Sequence, residues 1–186
     1  MSKRSLTWIS TLLTGGLLTA LTLVPTVLSA AEAAGAQESE QVSKLLSETR
    51  NMAFQLKNDA VTMESFRRMN VSTISHAAAI NQIKAEINDL AGQVNKLKAL
   101  ENEAAPWQRV AINRIDPYLD ELAGYTTAVI ERLNGDRTHT LTDYDDYLQA
   151  NADYATDLAA MLGDFVDYGN AKGTRERLGA KLEIRE

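Results

Sequence analysis

Hydrophobic residues recur at alternating steps of three and four residues along most of the chain after position 38. In the segment from Ser72 to Glu103 they form one row: Ile80, Ile83, Ile87, Leu90, Val94 and Leu97. This spacing puts every member of the row on one face of an α-helix. A second, polar row repeats every seven residues beside it: Asn81, Asn88, Asn95 and Asn102. The segment is therefore predicted to be a long amphipathic helix, the second of four.

The first helix is predicted from about Ser39 to Met69. Its core positions are Val42, Leu45, Leu46, Thr49, Met52, Ala53, Leu56, Ala60, Met63 and Phe66. Asp59 also falls at a core position, and we expect the helix to fray or kink slightly there. The second helix is expected to begin at a Ser72 or Ser75 N-cap, because serine side chains accept a hydrogen bond from the first helical turn.

The third helix is predicted from Pro106 to about Leu133, with proline at its first position. Pro117 interrupts it, and either Asp116 caps a restarted helix or the proline only kinks a continuous one. The sequence Asn134-Gly135-Asp136 then predicts a glycine-terminated end.

The fourth helix is predicted to start with a capping box formed by Thr142 and Asp145. Gly169 is expected to close or bend this helix, and residues 171–186 to form a charged tail or a short extra helix. Four amphipathic segments of roughly 30 residues joined by short turns predict an all-α fold, an up-down-up-down antiparallel four-helix bundle over residues 39–170.

The first 31 residues have the pattern of a signal peptide. Lys3 and Arg4 precede an apolar run from Leu6 to Val24, and small residues follow, so cleavage is expected after Ala31 or Ala33. An uncleaved membrane anchor is the less favoured alternative. Residues 32–38 are interpreted as a flexible lead-in, and we expect a periplasmic or secreted bacterial protein with no transmembrane segment after cleavage.

The amino-acid composition excludes several kinds of functional site. The 186 residues include no cysteine, which excludes disulfides, thiolate metal sites and cysteine nucleophiles. The formal charge is −6, and it becomes −8 once Lys3 and Arg4 leave with the signal peptide, so we expect no nucleic-acid partner. No phosphate loop, di-iron motif or catalytic triad signature is recognisable, and we predict a protein that is not an enzyme.

All six tyrosines fall at core-type helical positions. A buried phenol needs a hydrogen-bond partner, and asparagine amides are suitable ones. Two interpretations follow: either the tyrosines fill a thin core and the asparagine row is solvated, or both line a groove for an unknown protein or small-molecule partner in the envelope. The residues of this candidate groove are Asn81, Asn88, Asn95, Tyr118, Tyr125, Tyr147, Asn151, Tyr154 and Tyr168.

His76 is the basis of an alternative function, the binding of copper or haem. With Met63 or Met69 near the same end of the bundle, it could ligate copper or a b-type haem, although no metal-ligand spacing surrounds it. A surface or capping histidine is the favoured interpretation, and we predict no metal site, no cofactor and no catalytic residue.

Several stretches resemble a group of uncharacterised exported bacterial helical proteins. They are residues 75–84 (SHAAAINQIK), 106–109 (PWQR), 126–131 (TTAVIE) and 164–169 (DFVDYG). The resemblance implies export and a single four-helix bundle, and it brings no activity or site. The sequence thus predicts an exported, non-catalytic binding or structural protein of the cell envelope.

Overall fold

The structure is a computed structural model that describes residues 38–69, 71–135 and 141–184. Five α-helices follow one another in these ranges: α1 (Glu40–Ser65), α2 (Thr73–Ala99), α3 (Pro106–Asn113), α4 (Asp116–Leu133) and α5 (Leu141–Leu182). Single 3-10 turns follow α1 and α2, and the described part of the chain contains no strand. The all-α prediction is confirmed, and α3 and α4 together take the place of the predicted third helix. The predicted signal peptide, residues 1–31, lies outside the described residues.

The hydrophobic row of α2 faces the core as predicted. Its six members, from Ile80 to Leu97, are all at most 5% exposed. The predicted core positions of α1 are likewise buried or packed against the core. Full burial of one such aliphatic side chain stabilises the fold by about 1.5–3 kcal/mol. The three-and-four periodicity therefore identifies the buried faces correctly.

The helices pack in a closed ring. Helix α1 lies against α2 and α5, and α4 lies against the same two helices. None of the described helices has the length and apolar character that crossing a membrane requires.

Each end of this ring is held by side chains from distant parts of the chain. At one end the buried Gln108 side chain donates to the Ser39 carbonyl and the Ser43 hydroxyl, both at 2.9 Å, and accepts from the Ala105 N–H at 2.7 Å. At the other end Arg67 donates to the Gln149 side-chain carbonyl at 3.1 Å. The start of α1 is thereby joined to the start of α3, and the end of α1 to the first turns of α5.

Several predicted boundaries are confirmed. Ser72 is the N-cap of α2, and its hydroxyl accepts from the Ser75 N–H at 3.2 Å. Pro106 is the first residue of α3. Gly135 follows the end of α4 with a φ of +93°, a left-handed conformation that glycine adopts without strain.

Two predicted caps are wrong. Helix α4 does restart at the Pro117 interruption, but Asp116 is its first residue, and Ile115 before it gives no side-chain cap. The Asp116 carboxylate instead forms an ion pair with Lys98 at the end of α2. Thr142 does not cap the fourth helix either, because α5 already begins at Leu141.

The predicted helix end at Gly169 is wrong, while the alternative, a bend at this residue, stays a prediction. Helix α5 runs through Gly169 to Leu182, so the predicted tail begins as the last turns of that helix. Helix α1 is also continuous through Asp59, where fraying was expected. The half-buried Asp59 carboxylate accepts from Gln55 at 3.0 Å and lies beside Glu86 of α2.

Candidate functional site

Four of the predicted tyrosines form one continuous contact between α4 and α5. The ring centroids of Tyr118 and Tyr154 are 6.4 Å apart, those of Tyr154 and Tyr125 are 5.7 Å apart and stacked, and those of Tyr125 and Tyr147 are 6.1 Å apart. All four side chains are half-buried. The seven-residue spacing of Tyr147 and Tyr154 therefore produces an aromatic seam at the surface of the bundle and not a buried core layer.

The asparagines do not join this seam. Asn81, Asn88 and Asn95 are exposed along α2, as is Asn102. This exposure favours the interpretation of a solvated row. Asn151 is buried between α4 and α5, where its Oδ1 accepts from the Thr126 hydroxyl at 3.3 Å and its Nδ2 has no partner.

The seam opens into a groove of about 560 Å³ between α3–α4 and α5. We call this the aromatic groove. Its ring-bearing residues are Trp107, Tyr118, Phe165 and Tyr168, and its other lining residues are Val110, Arg114, Asp157, Ala160, Met161 and Asp164. Val110 is 45% exposed and Tyr168 is 54% exposed, so apolar surface remains open to a ligand.

Trp107 forms one wall of the aromatic groove. Its ring meets that of Tyr168 edge-on, with 5.6 Å between the centroids. The indole also lies close against α5 at Gly169, where an added Cβ would be 2.7 Å from Trp107 Cη2. The indole Nε1 is buried without a hydrogen-bond partner. The position of the indole is thus set by packing alone.

Three charged side chains line the same space. The Arg114 guanidinium lies over the Phe165 ring, 5.7 Å from its centroid, which is a cation–π distance. Asp157 and Asp164 are exposed on α5, seven residues apart. Chemically, the groove offers aromatic rings, a polarizable methionine, one guanidinium and two carboxylates.

The sequence pattern indicates only part of this groove. Tyr118 and Tyr168 are among the predicted site residues, whereas Trp107 and Phe165 are not. A signal is present in the spacing, because Trp107, Val110, Arg114 and Tyr118 are three, four and four residues apart. On α5, Met161, Phe165 and Tyr168 have the same helical spacing. The spacing does not show that these two helix faces lie against each other.

His76 lies in a second aromatic cluster at the opposite end of α5. Its Nδ1 shares a hydrogen bond with the Tyr144 hydroxyl, and its ring meets Phe66 edge-on at 5.3 Å. Burial lowers the pKa of His76, and burial together with the Asp145 charge raises the pKa of Tyr144 to about 12. Among the described side chains, no three His, Asp or Glu residues are grouped closely enough to hold a metal ion. A haem or copper site at His76 with Met63 or Met69 stays the less favoured alternative.

No protein-family model, curated protein or solved structure matches this chain. The resemblance to exported bacterial helical proteins accordingly stays a prediction.

Proposed function

We propose that this chain is an exported, non-catalytic helical-bundle protein of the bacterial cell envelope that works by binding a partner in the aromatic groove. Residues 1–31 act as its signal peptide and are removed on export. The mature protein is periplasmic or secreted.

The proposed bundle has up-down-up-down, antiparallel topology, with α3 and α4 forming its third member. Two observations support this arrangement. The turn between α1 and α2 is short, which favours antiparallel neighbours. Gln93 late in α2 also donates to Glu48 early in α1 at 2.9 Å.

The proposal of binding is based on the aromatic groove. Its volume of about 560 Å³ falls within the range of small-molecule sites, about 300–1,000 Å³. It is lined mainly by apolar and aromatic side chains with a few charged ones, which is the usual composition of a ligand site. Half-exposed Tyr168 and Val110 would be covered by a ligand, and that burial is favourable.

A pair of tryptophan substitutions tests this proposal. Ala160→Trp fills the aromatic groove, while Ala85→Trp adds the same side chain at an exposed position of α2. Both variants and the wild type are purified from the exported fraction of the native host under non-denaturing conditions. Native mass spectrometry then measures what remains bound, and intact mass locates the cleavage site.

We expect a bound species that is retained by Ala85→Trp and lost from Ala160→Trp. Equal occupancy in all three proteins would contradict binding in the groove. A mass that still contains residues 1–31 would contradict export with cleavage.

A further inference from the structure

Four ring-bearing side chains line the aromatic groove. An aromatic face carries partial negative charge, so it attracts a cation held within about 6 Å of the ring centre. Arg114 already makes such a contact with Phe165 at 5.7 Å. The groove therefore accommodates a positive group against at least one of its rings.

The charges around the groove also favour a positively charged ligand. Asp157 and Asp164 make no ion pair with another described residue, and Arg114 is the single cationic side chain that lines the space. Two carboxylates and one guanidinium leave one net negative charge there. The whole chain is acidic as well, with a formal charge of −6, which attracts cations from solution.

We propose that the aromatic groove binds a small organic cation, an amine or quaternary ammonium group attached to an apolar body. The cationic group takes the place of Arg114 on the Phe165 face and is neutralised by Asp157 and Asp164. The apolar body lies against Trp107, Met161 and Tyr168. This proposal rests on the proposed function and adds to it the chemical class of the ligand.

The test compares three probes that share a benzene ring and differ in charge: benzyltrimethylammonium, benzyl alcohol and benzenesulfonate. Trp107 is the one tryptophan after residue 31, so the fluorescence of the exported protein reports directly on the groove. From one exposed cation–π contact and two exposed carboxylates, we expect the cation to bind about tenfold more tightly than benzyl alcohol. Benzenesulfonate should bind more weakly than either.

Substitutions that remove charge from the lining residues test whether the groove prefers a cation. Replacing both carboxylates, Asp157→Asn with Asp164→Asn, should weaken binding of benzyltrimethylammonium by about fivefold. Arg114→Gln should tighten it by about threefold, because a competing positive charge is removed from the Phe165 ring. The matched control is Asp167→Asn, since Asp167 is an exposed carboxylate of α5 that lies 3.9 Å from Arg50 of α1 and not in the groove. It should change the Kd by less than about twofold.

Opposite results would overturn the proposal in distinct ways. Preferential binding of benzenesulfonate, weakened by Arg114→Gln, would assign the groove to anions. Equal affinity for benzyl alcohol and the cation would show a groove without charge selectivity and would leave the proposed function intact. Binding of a basic peptide of alternating lysine and leucine, with no binding of the small cation, would assign the groove to a protein ligand. If no probe bound and the Ala160→Trp comparison also showed no difference, the proposed function would fail with it.

Discussion

At the residue scale, the contact between Trp107 and Gly169 explains a glycine in the middle of a long helix. A Cβ at position 169 would lie 2.7 and 2.9 Å from two indole carbons of Trp107, closer than such atoms can approach. Gly169 therefore gives Trp107 the space to reach α5 and to form the wall of the groove. The sequence pattern alone does not distinguish this use of glycine from a helix end, which is why the predicted boundary at Gly169 was wrong.

Alanine substitutions at two glycines of α5 should have opposite effects. Gly169→Ala forces the indole to move, so we expect a loss of about 1–3 kcal/mol in the free energy of unfolding. At Gly163 a Cβ would meet nothing within 4 Å. Gly163→Ala should therefore stabilise the protein by about 0.5–1 kcal/mol through helix propensity. Urea denaturation measures both values, and a neutral Gly169→Ala would show that Trp107 is free to relocate.

Asn151 is the second residue whose environment predicts a measurable effect. Its buried Nδ2 lacks a partner, and an unsatisfied buried polar group costs about 1–3 kcal/mol. Asn151→Leu should raise the free energy of unfolding by about 1 kcal/mol. The Thr126 hydroxyl, which loses its partner, can turn to a carbonyl of its own helix.

The exposed Asn88 provides the control, because Asn88→Leu removes no buried amide and should leave the unfolding curve nearly unchanged. Destabilisation by Asn151→Leu would instead indicate that the amide fixes the register of α4 against α5.

At the element scale, the interruption between α3 and α4 shows which features of a helix break can be predicted from a proline in the sequence. Pro117 cannot donate to the carbonyl four residues earlier, and its ring would clash with that carbonyl in a continuous helix. The interruption was therefore predictable, but its details were not. Ile115 is fully buried, and Asp116 is paired with Lys98 of α2. These tertiary contacts, which no local pattern contains, determine where α4 restarts.

The last turns of α5 should be its least stable part. Lys172 still pairs with Glu38 beside the start of α1, but Leu178 and Leu182 beyond it are 49% and 64% exposed. A short helical segment with little tertiary packing is marginal in water. Hydrogen exchange should therefore be at least about 100-fold faster for amides 174–182 than for those around the buried Leu158. Uniform protection along α5 would show that another surface covers these turns in solution.

At the scale of the whole molecule, the sequence predicts the core better than the site. Apolar periodicity identifies a buried face from one helix alone, as the row from Ile80 to Leu97 shows. The aromatic groove depends instead on which helices become neighbours, since Trp107 and Phe165 come from different ones. The tyrosine positions indicated one residue on each side of the groove, Tyr118 and Tyr168, while the asparagine row belongs to another surface.

The packing of α1 against α2 also gives the whole molecule a pH dependence. Burial raises the pKa of Glu86 from its usual 4.5 to about 7, and the neighbouring Asp59 contributes. This pKa is higher in the folded than in the unfolded chain. Between pH 4.5 and 7, Glu86 is therefore protonated in a larger fraction of folded than of unfolded molecules. The contribution of Glu86 to stability is therefore full below pH 4.5 and is lost as the pH rises through 7.

Glu86→Gln removes this titration while keeping an oxygen that can accept from Gln82, as Glu86 Oε1 does at 2.9 Å. At pH 8 the variant should be more stable than the wild type by about 1 kcal/mol, a value already reduced for solvent screening of this partly exposed group. At pH 4.5 the two proteins should unfold at the same urea concentration, because Glu86 is then protonated in the wild type. Glu131→Gln, at an exposed position of α4, is the matched control and should show no such pH-dependent gain. An equal gain for Glu86→Gln at both pH values would mean that the carboxylate charge is not the cause.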